Sequence, residues 1–109
     1  MKSLVVGLLI SAAIPAAQQG KQKFTGTITD SMCPTSDHSG MRMGPTNAEC
    51  TIACVEVHGA LYVLYDGKNA YTLSDQKVPE KFAGQRVKVT GTLDAKTKTI
   101  RVDAISALK

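Results

Sequence analysis

The sequence predicts a mainly β domain: a small barrel of five strands, with one α-helix and a long loop that carries cysteine. Several short stretches alternate apolar and polar residues with period two, which is typical of half-buried strands. Residues 46–58 carry the one convincing set of helix signals in the mature chain. Gly26 and Gly91 stand in the middle of predicted strands, where glycine often marks a sharp bend in a small barrel. Closure removes exposed strand edges, so we expect an OB-like barrel.

The N-terminus has the features of a secretory signal peptide over residues 1–17. Lys2 supplies the positive charge, Val5 to Ile14 form a short apolar run, and small residues offer cleavage sites after it. The apolar run is too short for a bilayer, which takes about 20 residues. We therefore expect residues 18–109 to form a single domain that does not span a membrane, in the periplasm or secreted by a bacterium.

The net charge is only mildly basic, with a formal value of +4. The lysines of the C-terminal half are spread out and alternate with apolar residues, as on the solvent face of a sheet. Nucleic-acid binding normally shows a clustered basic patch with stacking aromatic residues. The chain has three Tyr, two Phe and no Trp. We therefore expect no nucleic-acid partner.

The first strand is predicted over residues 23–30, where Phe24, Gly26 and Ile28 share one face and threonines occupy the other. Residues 31–45 lack periodicity and form a long loop. Loops of this length in a compact domain are often functional or held by a crosslink.

A single helix is predicted after this loop. Thr46 and Glu49 form a capping box, in which the threonine hydroxyl accepts from the glutamate amide. The helix should run to about Val57, and Gly59 offers a C-terminal stop.

The remaining elements follow from turns and alternation. Asp66-Gly67 predicts a hairpin between strands 61–65 and 69–73. Residues 78–83 form a connector with one helical turn after Pro79, followed by strands 85–94 and 99–105. The alternation slips near Ala104 and Ile105, which suggests a β-bulge.

The chemistry of the chain is concentrated between residues 32 and 58. All three cysteines, both histidines and three of the four methionines lie there: Cys33, Cys50, Cys54, His38, His58, Met32, Met41 and Met43. On a helix, residues four apart share a face, with a drift of about 40° per step. Cys50, Cys54 and His58 therefore form a slanting stripe.

Thiolates and imidazoles are the usual ligands of zinc, and thiolates with thioethers suit copper(I). We therefore predict a copper or zinc site built from Cys33, Cys50, Cys54, and His38 or His58. Asp30 and Asp37 could contact a cation, but turn chemistry explains both residues.

A disulfide is the alternative use of the cysteines. Cys33 bonded to Cys50 or Cys54 would close about 20 residues and stabilise the domain by roughly 3 kcal/mol. Three cysteines is an odd number, so one thiol would stay free, bind metal or pair between chains.

These features predict a non-enzymatic binding module of the bacterial envelope, because no catalytic constellation is recognisable. The principal hypothesis is a module that binds copper or zinc through its Cys/His/Met cluster. The alternative is a disulfide-stapled module that binds a peptide, a glycan or an envelope protein without metal.

The chain also resembles a family. The segments that carry the resemblance are residues 24–33, which end in Asp-Ser-Met-Cys, residues 49–54 with Cys-x3-Cys, residues 62–64 and residues 84–94. Together they resemble small exported bacterial domains of unknown function found in acidobacterial genomes. The resemblance covers nearly all of the mature chain and implies an OB-like fold and export, and no particular activity.

Overall fold

The computed structural model describes residues 21–108. The predicted signal peptide, residues 1–17, lies outside them. The described chain forms, in order, β1 (Gln22–Asp30), α1 (Asn47–His58), β2 (Tyr62–Tyr65), β3 (Ala70–Leu73), a 3-10 turn (Val78–Phe82), β4 (Arg86–Asp94) and β5 (Thr99–Ala107).

The five strands close into a ring in the order β1-β2-β3-β5-β4, with β4 returning to β1. Four of the five strand pairs are antiparallel. β3 and β5 are parallel and pair over two positions, Thr72 with Thr99 and Leu73 with Ile100. The predicted fold class is confirmed: a mainly β, OB-like arrangement of five strands with one α-helix.

The interior of the ring is filled by one face of each strand, as period-two patterning requires. Its buried core includes Ile28, Leu64, Leu73, Val87 and Ile100. Outward residues on the same strands are exposed or half-buried, except where the end of β1 pairs with β2, where Thr29 and its partner Val63 are also buried. The loop and α1 pack over that end of β1.

Helix α1 is capped as predicted. The Thr46 hydroxyl accepts a hydrogen bond from the Glu49 amide at 3.1 Å. Gly59 ends the helix with a φ of 73°, and its amide donates to the Cys54 carbonyl. Glycine suits this left-handed position because it has no Cβ. The helix contacts β1, so its buried face meets the end of that strand.

The bulge lies slightly earlier in β5 than the sequence indicates. Thr90 pairs with Ala104 and Gly91 pairs with Val102, which leaves Asp103 as the extra residue. The helical turn expected after Pro79 is present as the 3-10 turn. Within residues 21–108, no helix is both long and apolar enough to cross a membrane.

Candidate metal centre

Asp30, the last residue of β1, uses one carboxylate oxygen to build a tight turn. Its Oδ1 accepts hydrogen bonds from the Met32 amide at 2.9 Å and the Cys33 amide at 3.0 Å. Its other oxygen, Oδ2, is buried and has no hydrogen-bond partner. Buried carboxylate oxygens are normally satisfied, so an orphan of this kind calls for an explanation such as an ion.

The turn fixes Cys33 beside Asp30. The Cys33 amide also donates to the Asp30 carbonyl at 3.1 Å, and the Thr29 hydroxyl donates to the Cys33 carbonyl at 2.8 Å. The Cys33 side chain is buried. These hydrogen bonds fix the backbone at Cys33, and its buried thiol lies near Asp30.

His38 comes from the middle of the loop and is only 2% exposed. One ring nitrogen, Nε2, lies 3.4 Å from the Thr51 hydroxyl of α1. The other, Nδ1, lies 4.0 Å from Asp30 Oδ2 and has no hydrogen-bond partner. Two orphaned polar atoms, one on the loop and one on β1, thus face each other in the interior.

Asp30, Cys33 and His38 each offer one ligand atom, and these atoms lie within 4.8 Å of one another. Around a tetrahedral zinc ion, neighbouring ligand atoms would be about 3.4 to 3.8 Å apart, given zinc–ligand bonds of about 2.0 to 2.3 Å. The ligand atoms need to approach one another by about 1.5 Å or less to reach that geometry. We call these three residues the Asp-Cys-His cluster.

Cys54 on α1 adjoins the cluster. Burial raises the pKa of its thiol, and the Asp30 carboxylate and the Cys33 thiol raise that pKa further. Burial likewise raises the pKa of Cys33, followed by the charges of Asp30 and Cys50. A side-chain interaction with Asp30 raises the pKa of Cys54 in the same direction, although the 4.8 Å separation holds for Asp30, Cys33 and His38 and does not include Cys54.

Cys50 is buried, but its sulfur is already engaged by the loop. It donates to the Gly44 carbonyl at 3.2 Å and accepts from the Met43 amide at 3.3 Å. The Arg42 guanidinium lies 3.4 Å from the same sulfur. These contacts fix the end of the loop to the first turn of α1.

The structure therefore brings together part of the predicted ligand set. Cys33 and His38 lie in the cluster, whereas Cys50 and Cys54 are buried on α1 outside the set of atoms that lie within 4.8 Å of one another. His58 is exposed in the last turn of α1, beyond the part of the helix that meets the barrel. The predicted stripe is therefore buried at Cys50 and Cys54 and exposed at His58.

Asp30 is the cluster member that lies outside the ligand set predicted from the sequence, where turn chemistry alone explains it. Its position directly before Ser-Met-Cys explains its turn chemistry, and the same position places its second oxygen beside Cys33. All three cysteines are free thiols in the structure, so neither candidate disulfide of Cys33 is formed.

A family model described as "Protein of unknown function (DUF5818)" matches residues 58–108. This similarity to an uncharacterised domain family covers β2 to β5, and the Asp-Cys-His cluster and all three cysteines precede it. Neither the curated proteins nor the solved structures contain a match to the chain.

Proposed function

We propose that this protein is an exported metal-binding module that holds one zinc ion with Asp30, Cys33, His38 and Cys54. The observation that carries the proposal is the pair of orphaned atoms, Asp30 Oδ2 and His38 Nδ1, buried beside a thiol. A cation would satisfy both atoms at once, whereas each costs free energy when buried alone.

The contacts of the two ring nitrogens of His38 support this role. A proton on Nε2 can be donated to the Thr51 hydroxyl, which leaves the lone pair of Nδ1 directed at Asp30. Ligating histidines generally donate their other ring N–H to a neighbouring group, which fixes the tautomer and the ring orientation. Thr51 is thus the orienting partner of the ligand.

The donor set favours zinc over copper. Carboxylate oxygen, imidazole nitrogen and thiolate sulfur are all ordinary zinc ligands, while copper(I) prefers a set dominated by sulfur. Met32 is the nearest methionine in sequence to the cluster, but its side chain is 41% exposed. Four protein ligands would complete the zinc coordination, which is typical of a structural site rather than a catalytic one.

Residues 1–17 support export, and the proposal places the mature module in the periplasm or outside a bacterial cell. There the zinc ion would fasten the 31–45 loop to α1 and β1. Its role in the envelope would be to bind metal or to present a metal-stabilised surface, without catalysis of its own.

Zinc content and its ligand dependence test the proposal. The mature protein is produced without an affinity tag and exposed to zinc and copper together. After dialysis it should retain about one zinc ion per chain. Cobalt substitution should give the absorption of a tetrahedral cobalt–thiolate centre. Asp30→Asn and Cys54→Ser should each weaken zinc binding by about tenfold to a hundredfold or more.

Two matched variants serve as controls. His58→Ala removes an exposed histidine and should leave zinc affinity unchanged. Cys50→Ser removes a buried sulfur that is already engaged by the loop, and should affect zinc affinity far less than Cys54→Ser. Equal losses in the two serine variants would contradict the ligand assignment.

The disulfide-stapled module is the other outcome of the same experiment. Protein without zinc and with an intact mass about 2 Da below that of the reduced chain would contain one internal bond and would overturn the proposal. Preferential retention of copper would keep the site and change the assigned metal.

A further inference from the structure

The outer face of β1, β4 and β5 carries a regular array of positive and hydroxyl side chains. Because Val87 and Val89 point into the core, their neighbours on β4 point outward. Strand pairing then places the outward residues in four successive rows. The rows are Thr27–Arg86, Thr25–Lys88–Ser106, Lys23–Thr90–Ala104 and Thr92–Arg101.

Each of these rows contains one basic residue and at least one hydroxyl. Rows on one face of a strand are about 6.8 Å apart, so the four positive charges span about 20 Å. We call this array the basic ladder, and its basic members are Lys23, Arg86, Lys88 and Arg101. All four are exposed except Lys88, which is half-buried.

One acidic side chain, Asp103, lies between the third and fourth rows. Asp103 lies at the bulge and pairs with Lys21 at 3.6 Å. Asp94 ends the face in the next row, where its carboxylate caps the following turn by accepting from the amides of Lys96 and Thr97. The ladder therefore keeps a net positive charge, because the acid within it and the acid beyond it already have partners.

We infer that the basic ladder binds an extended acidic polysaccharide. Evenly spaced cations suit a polymer with repeating carboxylate charges. The attraction between the basic side chains and the carboxylates would align the polymer along the strip. The threonine and serine hydroxyls between the cations can exchange hydrogen bonds with sugar hydroxyls. The ladder includes no aromatic side chain, whereas single-stranded nucleic acids are held largely by base stacking.

This inference is independent of the metal site. Asp30 and the Cys33 and His38 side chains lie in the interior or under the loop, whereas the ladder lies on the outer surface of the β1–β4–β5 side. Loss of zinc binding would leave the ladder residues and their charges in place.

Binding of polygalacturonate, a linear polyuronate, tests the inference. The variant Lys23→Gln/Arg86→Gln/Lys88→Gln/Arg101→Gln removes the four ladder charges. Its control, Lys68→Gln/Lys77→Gln/Lys81→Gln/Lys96→Gln, removes four exposed charges elsewhere, so both variants have the same net charge.

The ladder variant should lose at least about tenfold in affinity at about 0.1 M salt, and the control should stay within about twofold to threefold. Neutral dextran should not bind. Circular dichroism and thermal unfolding establish that both variants fold, and the double variant Arg86→Gln/Lys88→Gln should show an intermediate loss if the fourfold change unfolds.

Three results would overturn the inference. The first is equal loss in the ladder and control variants, which would mean that net charge alone drives binding. The second is the absence of polyuronate binding by the unaltered protein. The third is tighter binding of oligothymidylate than of polygalacturonate, which would indicate a nucleic-acid surface instead.

Discussion

At the scale of single residues, Asp30 connects local structure with the candidate metal centre. One oxygen accepts two amides and shapes the turn to Cys33, while the other is buried opposite His38. Sequence reasoning predicts the first role, because aspartate often hydrogen-bonds to the backbone two residues on. The second role depends on where the loop returns, and no local pattern specifies that return.

The buried thiols predict a pH dependence of stability in the metal-free protein. Burial and the Asp30 carboxylate raise the pKa of Cys33 and Cys54 above the ordinary value of 9.0. A raised folded pKa stabilises the fold fully below the unfolded pKa, and this contribution is lost as pH rises through the folded values. The free energy of unfolding should therefore fall above about pH 9, measured by denaturant titration.

The control is the double variant Cys33→Ser/Cys54→Ser. Burial also raises the pKa of Tyr62 to about 12 from 10.0, and this contribution has the same sign but begins at higher pH. The double variant should thus keep a constant stability to about pH 10 and decline only beyond it. A decline identical to that of the parent protein would refute the role assigned to the thiols.

At the scale of elements, helix α1 presents Cys50, Thr51 and Cys54 on its buried face. The four-residue spacing of the two cysteines correctly indicates that they share this face. The position of His58 in solvent could not be read from spacing, since it depends on how much of the helix the barrel covers. The engagement of Cys50 by Met43 and Gly44 likewise arises from the folded path of the loop.

Loss of the helix cap should weaken both the fold and the metal site. Thr46→Ala removes the acceptor for the Glu49 amide and should lower the free energy of unfolding by about 1 kcal/mol. Zinc affinity should fall as well, because Thr51 and Cys54 follow in the next turn. Thr35→Ala, an exposed threonine of the loop, is the matched control and should change stability by less than about 0.5 kcal/mol.

Equal effects of Thr46→Ala and Thr35→Ala would contradict this view of α1. Chemical unfolding followed by circular dichroism measures the first effect, and competition with a zinc chelator measures the second. Both measurements use the same protein preparation, so a fold defect and a site defect can be compared directly.

At the scale of the whole molecule, closure of the ring depends on close backbone contacts at glycine. A Cβ at Gly91 would overlap the carbonyl oxygen of Arg101, and a Cβ at Gly26 would overlap that of Tyr65. Glycine at these two mid-strand positions therefore permits close backbone approach within the ring. The exact register at the bulge could not be predicted, because one extra residue can be accommodated at several neighbouring positions.

Gly91→Ala should destabilise the protein by about 3 kcal/mol or more, since backbone rather than a flexible side chain must move. Gly40→Ala is the control, because a Cβ there has no neighbour within 4 Å. Thermal unfolding should show a large loss for the first variant and almost none for the second. A well-folded Gly91→Ala variant of unchanged stability would show that the β4–β5 contact is looser than described.

The sequence predicts the number and kind of elements well, because period-two alternation and capping residues act locally. The order of strands in the ring is set by the parallel pairing of β3 with β5, which joins Thr72 and Leu73 to residues far along the chain. That pairing leaves no local signature. The Asp-Cys-His cluster is equally non-local, since β1 and the loop supply its three members.

The parallel pairing of β3 and β5 also governs when the protein can fold. β5 is the last of the five described strands along the chain, and both β3 and β4 pair with it. A nascent chain lacking residues 99–107 has two unpaired strand edges and an uncovered core. The ring therefore cannot close until residues 99–107 are available, and until then the chain stays open to chaperones and to unwanted edge-to-edge association.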